Sequence, residues 1–518
     1  MRWSTGFLST THIFFFIVVF SLCDYHVSIQ KEGMLMEPAK RILYYYNMSN
    51  SARPETDSGP LTHYQVIKRL LKMHPTWHFY IVCPVGCILP KSSRVTPIFI
   101  PFDTYNMNSR MGFDLYNLKD AIKISDYDYD MIYNNQPEIS PALFIMLNNH
   151  PRITYSIPII NHVHWFVSPD NYMGNAGENM QTCNEPVTHQ AIVGLLCGAA
   201  TGVNSQWAKD FIIKESERFI TPEKTEYLRQ RIIPTTSGID TVEIDKYKTE
   251  ERFDKFTILW NSRLTAYTGA TYFFEFLDKM WEEGYHNFQV ICTNVVYMVF
   301  ADKRISKYPY VKVMDHMATP DYLNLIWKVD CGVFMHIGWG AWSLATLELM
   351  TCGKPILAID GRSAPELLGK DYPLFFAKAT EDKDAYKGFR RKLLSMITDK
   401  EMCKKVGEKN RERVKSMFDW EKTIFEWDDL ILKHCDFDLS NDDSEGKLKL
   451  LEYVKKKGSA SKRDILNQFG GAISYTRYRK YLLTHGIYDD YTKAEVEYTS
   501  TMPTEGFKEA SEDWEELF

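Results

Sequence analysis

Metal-binding and disulfide chemistry have little to work with in this chain. Its 10 cysteines are scattered over 518 residues. None stands in the C-x-x-C spacing of a zinc or redox centre, and Cys83 and Cys87 are the closest pair. That pattern favours reduced, mostly buried thiols over a disulfide framework. Long apolar runs are also missing. The best, "FLSTTHIFFFIVVFSLC" near the N-terminus, is too short for a comfortable membrane span but suits a signal-peptide core. Charge of one sign is not in large excess; the net of -6 by itself says little about partners, and its distribution along the chain says more. Apolar residues are not scarce: 45% hydrophobic and 14% aromatic exclude global disorder and allow two or three domains.

The N-terminus supports two readings. One sequon, Asn47-Met48-Ser49, fits a secreted route. Against it, Lys31-Glu32 can be encoded by a purine-rich ribosome-binding site just before Met36, after which the chain enters a strand almost at once. We expect residues 1–35 to be an over-extended start of a cytoplasmic phage or bacterial protein, the alternative being a genuine signal or membrane anchor.

From Met36 the pattern alternates. "RILYYYN", "WHFYIVCPVG", "YDMIYNNQ" and "SIPIINHVHW" read as buried strands. "HYQVIKRLLKMHP" has helical period and a proline stop, and "AATGVNSQWAKDFIIKES" reads as strand, loop and helix. A second series begins near residue 255 with the strands "KFTILW", "NFQVIC", "YVKVM", "CGVFMHI" and "KPILAID". Amphipathic helices such as "ATYFFEFLDKMWEEG" and "TPDYLNLIWKV" lie between them. Uninterrupted apolar strands alternating with helices predict parallel sheets covered on both faces. The expected fold class is α/β, two tandem doubly wound (Rossmann-like) domains over 36–235 and 236–435, the second ending in the helix "MFDWEKTIFEWDDLILKH". Ligands of such sheets bind outside the carboxyl ends of the strands.

An acidic linker, 436–446, leads to a small basic unit over 447–490 and an acidic tail over 491–518. Between Lys447 and Lys480 there are ten Lys/Arg against two acids. Helix, turn, helix, turn, helix in "KLKLLEYVKKKGSASKRDILNQFGGAISYTRYRKYLLTHG" looks like a winged helix-turn-helix. In it Arg477, Arg479 and Lys480 would meet phosphates, and Tyr475 and Thr476 would approach base edges. A basic hairpin that packs on the enzyme or binds a protein is the other reading. The Asp-x-Asp spacing in "SDYDYDMIY" could suggest a metal, but acids at a strand entry are more simply solvated.

The stretch "GAWSLATLELMTCGKPILA" carries a resemblance. It is similar to the donor-domain motif of GT-B retaining glycosyltransferases of family 4, in which a Gly-rich loop, a helical Glu and a Cys-Gly-x-Pro turn follow in order. The resemblance covers about residues 36–435 and is most specific in the second half. It implies a metal-independent enzyme with no cofactor beyond a UDP- or GDP-linked sugar donor. Glu348 would accept from the donor ribose hydroxyls, and the backbone around Ser343 and Leu344, at a helix start, would cradle the diphosphate. Two positions depart from the family pattern. A second Glu usual eight residues earlier is Gly340 here, with His336 a neighbour that could compensate. In "RLTAYTG" Arg263 is kept, but the usual Lys is Thr268, which leaves Lys354 or Arg362 as substitutes for the lost cation.

On the acceptor side, "PIINHVHWF" resembles the family's strand ending in a His near the reacting centre; His164 aligns best and His162 is its rival. Gly59 would sit in the first strand-to-helix loop, and Asn204 and Ser205 in an Asn-Ser loop. If the basic unit binds double-stranded DNA, the chain further resembles phage enzymes that glycosylate hydroxymethylated bases. A membrane-associated glycan or lipid transferase, or a catalytically degenerate nucleic-acid-binding scaffold, are the alternatives.

Overall fold

The computed structural model of the chain describes residues 40–45, 58–84, 87–100, 118, 121–122, 129–148, 157–166, 179–264, 266–293, 305, 308–314, 317–377, 384–435, 453 and 456. The first part contains β1 (Lys40–Tyr45), α1 (Ser58–Met73), β2 (Trp77–Pro84), β3 (Val95–Ile100), β4 (Met131–Asn134), α2 (Ser140–Asn148), β5 (Ile159–Val163), α3 (Asn179–Cys197), β6 (Ala200–Val203), α4 (Gln206–Ser216), α5 (Pro222–Arg231) and β7 (Ile232–Pro234). Its strands form one parallel sheet in the order β3-β2-β1-β4-β5-β6-β7.

The second part contains α6 (Thr241–Asp245), β8 (Phe256–Trp260), α7 (Ala270–Glu282), β9 (Phe288–Cys292), β10 (Val311–Val313), α8 (Thr319–Lys328), β11 (Cys331–Phe334), α9 (Leu344–Thr351), β12 (Ile356–Ile359), α10 (Ala364–Leu368), β13 (Phe375–Phe376), α11 (Ala385–Thr398), α12 (Lys400–Arg413) and α13 (Trp420–Cys435). Its sheet, also parallel, runs β10-β9-β8-β11-β12-β13. In both sheets the strand order reverses beside the first strand, the doubly wound pattern expected from the alternation of elements.

β1 shows why apolar runs without alternation become central strands. Ile42 and Tyr44 enter one core cluster, while Leu43 and Tyr45 enter another on the opposite face. A strand buried on both sides has no polar face to show. β3, with Pro97 inside it, lies at the sheet edge, where a missing N–H is tolerated.

The last helix of the second part does not stay with the second sheet. Trp420, Ile424, Trp427, Leu430 and Ile431 of α13 line one helical face and pack into the core of the first sheet with Ile42 and Tyr44. Trp427 is fully buried there, and loss of such a side chain typically costs about 3–5 kcal/mol. Asp428 pairs with His74 at 2.6 Å, and Glu426 accepts from the Thr236 amide at 2.6 Å. The chain therefore crosses between the two units twice, and the crossings are bonded to each other. Ile239 N donates to Phe418 O at 2.8 Å, and Trp420 N donates to Ile239 O at 3.1 Å.

Of the Asp-x-Asp stretch, Asp130 accepts from the Arg41 amide at 2.7 Å, a structural use, and Asp126 and Asp128 lie outside the described residues. Also outside are residues 1–35, the sequon at Asn47, and the basic-unit positions Tyr475, Thr476, Arg477, Arg479 and Lys480. Among the described residues no helix is long and apolar enough to cross a membrane.

Candidate active site

The two sheets meet through residues that immediately follow their strands. His164 comes directly after β5, Asn204 directly after β6, the 335–343 loop after β11 and the 360–363 loop after β12. Trp339 Nε1 donates to His164 O at 3.0 Å, and Trp342 Nε1 donates to Ser237 O at 2.8 Å. The carboxyl ends of both sheets thus face one seam.

On the second unit's wall, α9 starts at Ser343, whose hydroxyl accepts from Thr346 N at 3.1 Å. Leu344 and Ala345 open the helix, so their amides have no carbonyl a turn behind them. Glu348, one turn further on, is half-buried and accepts from the hydroxyl of Tyr322 on α8. Asn261, just past β8, donates to Tyr322 Oη at 2.9 Å and to Ala345 O at 3.0 Å, fixing both helices to the strand end. Burial pushes the Glu348 carboxyl up to about 7, and the Tyr322 hydroxyl opposes the shift. Burial and the facing carboxylate in turn hold the Tyr322 phenol well above its ordinary value.

The departures from the family motif have local explanations. A side chain at Gly340 would place a Cβ 2.9 Å from His336 Cβ and 3.2 Å from Arg362 Cβ, so this backbone leaves no room for a Glu. Thr268 is buried, and its hydroxyl donates to Arg263 O at 2.7 Å, shaping the loop from within rather than lining the seam. Arg263 is exposed on that loop. Tyr267 O accepts from the amides of Ile337 and Gly338 at 2.9 and 3.0 Å, which pins this loop to the Gly-rich one.

Of the substitute cations, Lys354 is buried and donates from Nζ to Trp327 O at 2.6 Å, so it serves the end of α8 instead. Burial lowers its pKa to about 8. Arg362, at φ 56°, donates to Ile337 O and lies 5.3 Å from the Trp207 ring centroid, at the seam. His336 stacks on Phe334 at 4.9 Å, and burial, with Arg362 nearby, lowers its pKa to about 4. It is a neutral ring.

On the first unit's wall the two candidate histidines part company. His162 is fully buried inside β5, its ring 4.4 Å from that of Trp427 and 5.2 Å from that of His63. Burial, with His164 adding to it, drives its pKa far below the usual value. His164 is half-buried at the seam. Thr62 Oγ1 donates to Ser237 Oγ (3.3 Å), which donates to Asn204 Oδ1 (3.1 Å). The Asn204 amide then donates to His164 Nδ1 (3.3 Å), so Nε2 carries the proton and donates to Ser58 Oγ (3.0 Å). The chain of donors fixes the tautomer. Gly59 lies against this ring: a Cβ there would sit 3.3 Å from His164 Cδ2. Ser205 caps α4, accepting from Ala208 N at 3.1 Å.

Tyr322, Asn261, Ser58, Trp339 and Glu366 (below) were not singled out by the sequence. Tyr322 occupies an ordinary position of an amphipathic helix, and no spacing rule ties it to a carboxylate 26 residues later. One consequence is testable. Because the Tyr322 hydroxyl favours the ionised carboxylate, Tyr322→Phe should shift the pH midpoint of Glu348 upward. Titration of the variant by carboxyl-labelled NMR checks this, and an unchanged midpoint would contradict it.

No family model and no curated protein matches the sequence. The fold does find similar solved structures. Its two doubly wound units match, as a fold, solved structures of GT-B glycosyltransferases. A sucrose-phosphate synthase from Thermosynechococcus elongatus matches with TM-score 0.56 at 14% identity, over 76% of this chain and 98% of that one. Anabaena HepE in complex with UDP and glucose matches with TM-score 0.54 at 14% identity, over 76% and 100%. The catalytic domain of starch synthase IV from Arabidopsis thaliana, bound to ADP and acarbose, gives 0.54 at 10% identity, over 77% and 100%. At these identities the likeness is one of fold.

Proposed function

We propose that this chain is a glycosyltransferase that moves a sugar from a nucleotide-sugar donor to an acceptor hydroxyl with retention at the anomeric carbon. The supporting observation is convergence. The half-buried Glu348 and the open start of α9 stand on one wall of the seam, and His164 with its fixed Nε2 proton stands on the other. Glu348 offers a carboxylate to ribose hydroxyls, and the Ser343–Leu344 backbone, with Arg263 and Arg362 on neighbouring loops, offers donors to a diphosphate. In the reaction the bond from the anomeric carbon to the diphosphate oxygen breaks, the acceptor oxygen bonds to that carbon on the same face, and the acceptor proton passes to the leaving phosphate. His164 Nε2–H would donate to the transferred sugar as charge develops. The solved relatives with UDP and with ADP support a nucleotide donor, and no step here is assigned to a metal.

For the acceptor, duplex DNA carrying hydroxymethylated bases is the reading we favour. It rests on the ten Lys/Arg against two acids between Lys447 and Lys480, in a chain of net charge -6. The target base would have to be flipped out to reach the seam.

A donor-hydrolysis and transfer screen tests both layers, using UDP-, GDP- and ADP-sugars with plain and hydroxymethylated duplexes. Transfer to modified DNA that weakens with salt and with truncation after His434 is the expected result. Donor hydrolysis without a DNA product would keep the transferase and redirect the acceptor to glycans or lipids. No turnover of any donor would leave a binding-only scaffold. The anomeric configuration of the product, read by NMR, decides retention.

A further inference from the structure

Glu366 lies on α10 of the second unit, but its carboxylate serves the first. Its Oε2 accepts from Gln206 N at 2.8 Å and its Oε1 accepts from Trp207 N at 2.6 Å. These are the first two amides of α4, which no carbonyl of their own helix can reach. The next need in that turn, Ala208 N, is met by Ser205. So of these three amides of the first turn of α4, two are satisfied by the facing unit and one by its own.

Glu366 is itself held rigidly. Arg413 donates from Nη2 to Glu366 O at 2.8 Å and from Nε to Leu367 O at 2.7 Å. Ser363, which starts this helix, donates to Gly340 O at 2.7 Å. Around the contact, Trp207 meets Trp339 at 5.4 Å between ring centroids and Arg362 at 5.3 Å. The residue next to the Ser205 cap is Asn204, whose amide fixes the tautomer of His164.

We propose that Glu366 is a positioning residue that makes the alignment of His164 conditional on closure of the two units. It acts through the N-terminus of α4 and Asn204, and touches neither donor nor acceptor. Both hydrogen bonds are charge-assisted, and they exist only when the 360–366 segment is docked on the first unit. Opening the seam removes them together and uncaps the first two amides of α4, so the backbone that carries Asn204 loses one restraint and the bond from Ser237 is left to hold its side chain. Closure restores them, so the proton on His164 Nε2 is aimed only when the donor-bearing wall is in place. The catalytic consequence rests on the transferase reading, whereas the clamp itself does not.

The test uses the full chain with Glu366→Ala and Glu366→Gln. Hydrogen–deuterium exchange of the peptide spanning Gln206 and Trp207 should speed up at least tenfold in the alanine variant and less in glutamine, which keeps one acceptor oxygen. The sheet strands should stay protected, which shows that the variants fold. Added formate, a small carboxylate, should slow that exchange again in the alanine variant. With donor and acceptor, kcat should drop on the order of 10- to 100-fold, the scale of a slightly misplaced group, while UDP affinity stays unchanged. Formate should recover part of kcat.

Unchanged exchange at Gln206 and Trp207 would overturn the proposal. So would a loss of protection across both sheets that formate does not reverse, since that marks a merely structural contact. If the unsubstituted protein turns over no donor, the transferase reading fails, and the exchange and formate results alone decide on the clamp.

Discussion

Replacing Glu348 with glutamine is expected to weaken nucleotide-donor binding by about 10- to 150-fold and, at pH 8, to raise the melting temperature of the unliganded protein. The two effects have opposite signs for one reason. A carboxylate taken from water into the seam loses hydration, which raises its pKa from the ordinary carboxylate range to about 7. The folded protein therefore holds this proton more tightly than the unfolded chain does. Its contribution to stability is fully present below the unfolded pKa and is lost as pH rises from there through about 7. At pH 8 the buried charge is a burden that glutamine, nearly identical in shape and still able to accept from Tyr322, does not carry. Each kcal/mol relieved raises the melting temperature by about 2–4 °C in a domain of this size.

The ribose hydroxyls, in contrast, would find a neutral acceptor where they had a charged one, and hydrogen bonds to charged groups are worth roughly 1.5–3 kcal/mol. Donor affinity of the unsubstituted protein should accordingly fall as pH drops below about 7. Calorimetric titration with UDP at several pH values, beside thermal melts at pH 8 and pH 4.5, checks all of this. Unchanged UDP affinity would remove Glu348 from the donor site, and a lower melting temperature at pH 8 would show that its charge is not penalised.

His164→Ala is the second large expectation, a loss in kcat of about 10²- to 10³-fold with little change in donor KM. The argument is geometric. Four hydrogen bonds in series, from Thr62 to Ser58, are arranged so that one nitrogen of this ring must carry a proton. A mobile or merely space-filling histidine would not require that order. His162→Asn serves as the control. That ring lies between Trp427 and His63 in the aromatic interior, so its loss should lower stability and leave the kcat of the folded fraction within about threefold. Equal kcat effects at both positions would show that the ring order, not His164, is what matters.

The doubly wound sheets were legible because central parallel strands carry their burial in composition alone. "RILYYY" and "KPILAI" need no partner to be read as strands, and the helices between them keep a 3.6-residue period. The short "PILAI" strand also located the end of α9 and hence Glu348. What surrounds Glu348 was not legible. Tyr322 and Asn261 arrive from elements separated in sequence by tens of residues, and their meeting depends on the register of α8 against β8 and α9. The same holds for Glu366: "APEL" reads as a helix start, and nothing local says that its acid caps a helix of the other unit. Gly340 and Thr268 were visible as departures, but only packing against His336 and Arg362, and the bond to Arg263 O, gives the physical reason.

The paired crossings at Ile239 and at Phe418–Trp420 have a mechanical meaning. Two separate connections would let the units twist, shear and slide. Two connections laced together by backbone hydrogen bonds make one joint instead of two, a geometry that favours swinging about a single line, as the arms of tweezers do, over independent twist and slide.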